Sequence, residues 1–275
     1  MAELRTLVSG VAMGESPRWR DGRLWFCDWG AGQVVRVEPD GTTAVVAEVA
    51  DMPICIDWLP DGRLLAVSGQ QGLLLAVGDD GPPDQHAVLG AGRWNEIAVD
   101  GRGNVFVNDI GFDFPGGEFR PGRVCVLTPG ADRPREVADG LAFPNGMAIR
   151  GDTLIVAESY AGRLTAFDIA PDGGLSGRRE FAAVEGSAPD GICLDTDGAV
   201  WFADVPNRRC VRVAEGGAIL ETVDADRGCF SCALGGADGR TLFITANQWG
   251  EDGAGEGVVY ATEVNSRASR SSAAG

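Results

Sequence analysis

With 275 residues, 41 of them glycine, the chain has the length of one closed β architecture and many more tight turns than long helices would need. Its 40 acidic residues outnumber 23 basic ones, for a formal charge of -17, which argues against nucleic acid and membranes as partners because both call for basic patches. No apolar run is long enough to span a bilayer, and the N-terminus lacks a basic segment leading into an apolar one, so no signal peptide is expected and the cytoplasm is the expected location.

In chain order, the first element is LRTLVSG (4–10), a short strand with no neighbour of its own. SPRWRDGRLWFCDWG (16–30) then gives an apolar strand, a turn with glycine and a second apolar strand. The same unit returns at 56–69, 97–111, 147–159, 192–205 and 232–246. This spacing of about 40 to 50 residues is that of propeller blades. A third strand follows each pair (QVVRVE, LLLAVG, RVCVLT, RLTAFDI, CVRVAE, VVYATEV), and a fourth follows five of them. The last unit has no fourth strand before SRASRSSAAG (266–275), which reads as a disordered tail. LRTLVSG fits the missing place, and pairing it there would close the ring and remove an exposed sheet edge. The predicted fold is all-β: one six-bladed β-propeller of four-stranded blades over residues 1–265, closed by the N-terminal strand in the last blade. An irregular β-sandwich, the alternative, does not account for six copies and an orphan strand that complements them.

Radial repetition brings equivalent positions together on the axis. The residues just before each innermost strand are Glu15, Ile54, Asn95, Asn145, Asp190 and Ser231, with a one-residue slip allowed at Glu15. Glu15, Asn95, Asn145 and Asp190 supply oxygen donors only, which suits a hard divalent ion: Ca2+ first, then Mg2+ or Mn2+, with Zn2+ a further candidate. Two carboxylates and two amides would leave a dication neutral. The plainer reading is that these residues cap turns, which Asn and Asp favour anyway. A second register follows at the ends of the next strands: Asp28, Ser68, Asp109, Glu158, Asp204 and Thr245. It is read as support for the first layer or for the blades, with a deeper second ion as the alternative.

The only histidine, His86, falls in an outer strand, so no histidine triad or dyad is expected. No GxSxG elbow and no phosphate-binding glycine loop is present. The seven cysteines, including the Cys229–Cys232 CxxC, read as reduced core thiols.

GESPRW, RWNEIAVDGRGN, FPNGMAI and PDGICLDTDGAVWFAD together resemble the senescence marker protein / gluconolactonase / luciferin-regenerating enzyme family over residues 8–263. The resemblance implies a six-bladed propeller binding Ca2+ or another divalent ion at the channel mouth, with Glu15, Asn145 and Asp190 as ligands. It also implies that Asn95 binds metal or substrate, and that Arg93 contacts the hydroxyls of a sugar lactone; a surface ion pair is the alternative for Arg93. Glu-Ile-Ala-Val-Asp after Asn95 departs from the gluconolactonase branch and is closer to the bacterial lactonases, where an acid at the place of Asp109 can join the metal. The expected activity is hydrolysis of a small-molecule lactone by water, with Asp190 as general base and Arg93 and Asn95 orienting the substrate. Phosphotriester hydrolysis and a non-catalytic calcium-binding propeller are the alternatives. The loop GFDFPGGEFRPG (111–122) is expected to overhang the channel.

Overall fold

Each of the six sequence units folds into one four-stranded antiparallel sheet, in a computed structural model that describes residues 3–78, 81–248 and 256–269. Blade 1 runs from Gly14–Arg20 through Arg23–Asp28 and Gln33–Val37 to Thr43–Glu48. Blades 2 to 5 begin at Ile54–Trp58, Trp94–Val99, Pro144–Arg150 and Pro189–Leu194, and each adds its next three strands outward in chain order. Blade 6 contains Gly228–Gly235, Thr241–Asn247 and Gly257–Glu263, and its outermost strand is the N-terminal Arg5–Val11, paired antiparallel to Gly257–Glu263. The first strand of every blade packs on the first strand of the next, from blade 1 round to blade 6 and back. The result is a six-bladed propeller, closed as the orphan strand requires, and among the described residues no helix is long and apolar enough to cross a membrane.

The core lies between the blades. Six apolar clusters each join two consecutive blades, for example Phe106, Val124 and Val126 of blade 3 with Leu154, Val156 and Phe167 of blade 4. Alternating side chains on each strand face its two neighbours, so both faces of every sheet are covered, and the apolar runs are nearly continuous. Trp94 and Trp201 are fully buried, and each indole N–H finds an acceptor: Gly90 O at 2.8 Å and Ser266 Oγ at 2.8 Å.

That second bond moves the expected start of the tail. Ser266 is buried, Ala268 bridges to Asp195, and Thr196 N donates to Arg267 O at 2.9 Å. The chain therefore packs on blade 5 through these residues, because the buried Trp201 indole needs an acceptor that Ser266 provides. The rest of the predicted tail, 270–275, lies outside the described residues.

Candidate functional site

A bulge builds the site. In blades 3, 4 and 5 the residues Trp94, Pro144 and Pro189 pair with Asp109, Glu158 and Asp204 at the ends of the second strands. The ladder then slips, leaving two residues opposite one: Asn95-Glu96, Asn145-Gly146 and Asp190-Gly191. A bulge of this kind turns its residues out of the pleat and re-aims their side chains. In blade 1 Gly14 pairs with Asp28, and the slip follows Glu15. Glu15 is thus in register with Asn95, Asn145 and Asp190, and the slip allowed there is not needed. Blade 2 has no bulge: Ile54 pairs with Ser68, so the equivalent of Asn145 is Cys55 and not Ile54. In blade 6 the slip lies between Cys229 and Ser231, and Ser231 rejoins the ladder opposite Thr245.

Two glycines let these bulges meet. A Cβ on Gly146 would land on Asp190 O and lie 2.6 Å from Ile192 N. A Cβ on Gly191 would overlap the Ser231 side chain and lie 2.7 Å from its Cα. The second letters of Pro-Asn-Gly and Pro-Asp-Gly carry the donors, and the third letters allow neighbouring inner strands to approach closely.

The side chains converge as a ring. Asn95 Nδ2 donates to Asn145 Oδ1 at 3.1 Å. Glu15 and Asn95 are buried, whereas Asn145 and Asp190 are half-buried. Burial, and then the charges of Asp190 and Glu96, push the Glu15 carboxyl well above its ordinary range. Burial and Glu96 do the same to Asp190, against the hydrogen bond from Asn145. Among the described residues, neither carboxylate has an ion-pair partner. A buried and a half-buried carboxylate close enough to repel each other, beside two amides, form an oxygen donor set that a hard dication would neutralise, and the residues fit such an ion.

Beneath this layer sit two charged residues that pattern reading passed over. Arg18 Nη2 of blade 1 reaches Glu96 Oε1 of blade 3 at 3.1 Å and Ile97 O at 3.2 Å. Burial raises the Glu96 carboxyl, opposed by Arg18, and likewise raises Asp57, again opposed by Arg18. This pair spans 78 positions of sequence and two non-adjacent blades, so only ring closure brings it together. A charged residue inside an inner strand, Arg18 in GESPRW and Glu96 in RWNEIAV, was the available signal. Asn108 was missed as well: it is fully buried, accepts from Glu96 N at 3.0 Å and donates to Asn145 O at 2.6 Å, tying two bulges together.

The second register serves the blades. Asp28 accepts from Ala12 N and Met13 N, Glu158 from Ala142 N and Arg163, and Asp204 from Ala188 N and Arg209. Asp109 accepts from Arg93 N at 3.0 Å, Gly111 N at 2.9 Å and Arg123 Nη2 at 3.0 Å. Its carboxylate is committed to blade 3, where it fixes the backbone two residues before Asn95. In blade 6 the strand end paired like Asp28 is Asn247, opposite Gly228, and not Thr245. Arg93 has an exposed guanidinium that is ion-paired with Asp113 of the 111–122 loop. His86 lies on the outermost strand of blade 2, and the seven cysteines are all free, six of them buried.

A family model described as SMP-30/Gluconolactonase/LRE-like region matches residues 13–248. The chain is 27% identical to the 6-deoxy-6-sulfogluconolactonase of Pseudomonas putida over 92% of its length and 91% of that protein's. It is 28% identical to the regucalcin of Oryctolagus cuniculus, covering 87% of this chain and 84% of the relative. Among solved structures, a calcium-binding protein, regucalcin, from Agrobacterium tumefaciens superposes with a TM-score of 0.82 at 17% identity, over 98% of this chain and 96% of the other, a likeness of fold.

Proposed function

We propose that this chain, which belongs to the SMP-30/gluconolactonase/LRE-like family, is a divalent-metal-dependent lactonase that opens a small-molecule lactone with water. The observation that carries the reading is the mouth itself: Glu15 and Asp190 held together without an ion-pair partner among the described residues, beside Asn95 and Asn145. A relative named for a lactonase activity, matched over nearly its full length, supports the same reaction class.

Glu15, Asn95, Asn145 and Asp190 would hold the ion, Ca2+ first among the candidates because all four donors are oxygens. When bound, the ion supplies Lewis-acid polarisation of the lactone carbonyl and lowers the pKa of a water. The chain's own residues do the rest. Asp190 is half-buried, and one of its Oδ atoms takes the proton of the attacking water. The same proton is then delivered to the ring oxygen as the acyl–oxygen bond breaks, giving the hydroxy acid. The Asn145 hydrogen bond keeps the Asp190 carboxylate oriented, and Asn108 and Gly146 fix the backbone beneath it. Arg93, whose ion pair with Asp113 is exposed and therefore weak, is free to exchange it for a substrate oxygen.

The test is turnover of a lactone panel, with and without chelator, by the parent chain and Asp190→Ala. The expected result is chelator-sensitive hydrolysis lost by at least ~100-fold in the variant, the usual range for a positioned proton-transfer group. Hydrolysis that survives both treatments would remove the assignment.

A further inference from the structure

The 111–122 loop carries a feature that lactone opening does not require. Ile110, Phe112 and Phe143 form a small apolar cluster apart from the six inter-blade clusters. On top of it lie Phe114, Phe119 and Tyr160, which are 44%, 46% and 54% exposed. The rings touch one another: Phe112 meets Phe119 at 5.6 Å and Tyr160 at 5.7 Å, Phe143 meets Phe114 at 5.0 Å and Tyr160 at 4.9 Å. Leaving three aromatic rings in water forgoes a large part of the hydrophobic gain that their burial would give. Among the described residues, the most exposed aromatic side chains of the chain are all in this one cluster.

Its position joins it to the candidate site. Phe143 stands two residues before Asn145. Tyr160 follows Ser159, which bonds to the Asn145 amide at 3.4 Å and donates to Pro189 O at 2.8 Å. From the blade 3 side, Asp113 of the same loop holds Arg93, two residues before Asn95. The cluster is thus the rim of the mouth across blades 3 and 4. The exposed ring faces of Phe114, Phe119 and Tyr160 stand beside the Arg93–Asp113 pair, so the rim sets an apolar surface next to the polar mouth.

We propose that Phe114, Phe119 and Tyr160 receive an apolar substituent of the substrate, so that the preferred lactones carry an alkyl or aryl group next to the ring in place of a row of hydroxyls. The inference rests on the lactonase reading above. It assigns these rings a role in selecting the substrate, and they leave the ring-opening chemistry to the groups at the mouth.

The experiment measures kcat/KM for γ-butyrolactone, γ-hexalactone, γ-octalactone, γ-decalactone and glucono-δ-lactone with the parent chain, Tyr160→Ala and Phe119→Ala/Tyr160→Ala. In the parent, kcat/KM is expected to rise about threefold per added methylene, near the value for full burial of a CH2 group. In the double variant that rise flattens, and in Tyr160→Ala it is intermediate. A flat series in the parent overturns the proposal, as does a rise unchanged in the variants. An equal loss on glucono-δ-lactone also overturns it, because the rings would then be stacking on a sugar. Calorimetric binding of 4-hydroxybutanoate and 4-hydroxydecanoate separates the two claims. If no lactone is turned over, the lactonase reading fails, and the rim is judged by this pair alone: tighter binding of the longer acid, lost in the double variant, supports the rim, and equal binding overturns it.

Discussion

Replacing Gly146 with alanine tests the close approach of two bulges more sharply than any ligand substitution. The added methyl would sit 2.6 Å from Ile192 N and 2.8 Å from Gly191 Cα, and would overlap Asp190 O. All of these atoms are backbone, so no side chain can swing away. Restoring ordinary van der Waals separation requires the inner strands of blades 4 and 5 to part by about 0.8 Å, and overpacking of this kind costs about 2 kcal/mol. In a chain of 275 residues that lowers Tm by about 3–4 °C. The same displacement moves Asp190 relative to Asn145, and a misplacement near 1 Å costs on the order of 100-fold in rate. The assay pairs thermal unfolding with kcat/KM on the best lactone, and Gly78→Ala is the control, since nothing lies within 4 Å of a Cβ there. Activity and Tm of Gly146→Ala indistinguishable from the control would refute the argument that this glycine sets the spacing of the site.

Asn108→Leu removes the bonds to Glu96 N and Asn145 O and strands both buried backbone groups, so a loss of about 2–3 kcal/mol in urea unfolding and weakened metal binding are expected. Glu158 is fully buried; its burial would raise the carboxyl, but hydrogen bonds from Arg163, Ala142 N and Thr165 outweigh that and lower it. A lowered carboxylate stabilises the fold above its unfolded pKa and loses that contribution as pH falls through the folded one. Glu158→Gln should therefore cost about 2–3 kcal/mol at pH 7 and less in acid, measured by denaturant midpoints at both pH values. Tyr260 is pushed up to about 12 by burial and by its bond to Asp226. Its contribution is complete below pH ~10 and disappears as pH rises towards 12, so Tyr260→Phe should lose about 1 kcal/mol at pH 8 and be less sensitive than the parent to alkaline unfolding.

The propeller was legible because its signals are local: strand, glycine turn, strand, repeated six times, with LRTLVSG left over at one end and a vacancy at the other. The shared repeat position of Glu15, Asn95, Asn145 and Asp190 was legible for the same reason, since an oxygen side chain recurring there stands out. What pattern reading missed depends on geometry that periodicity does not carry. A bulge shifts the count by one, so Ile54 stood in for Cys55, and Ser231 was aligned past its own slip. Arg18 and Glu96 come from blades that are neighbours neither in sequence nor in the ring, and only the circular arrangement makes them partners. The second-register acids, read as support for the first layer or for the blades, have backbone and arginine partners that commit them to their own blades. Ser266 stands among polar residues typical of a tail, yet the buried Trp201 indole holds it through a single hydrogen bond.

The most direct test of the account is the stoichiometry of metal binding, measured by equilibrium dialysis of the chelator-treated chain against Ca2+ for the parent, Glu15→Gln and Asp190→Ala. One tightly held dication per parent chain is expected, with loss of that ion in both variants and the folded state retained by circular dichroism. A parent chain that holds no dication, or variants that hold it as tightly as the parent, would contradict it.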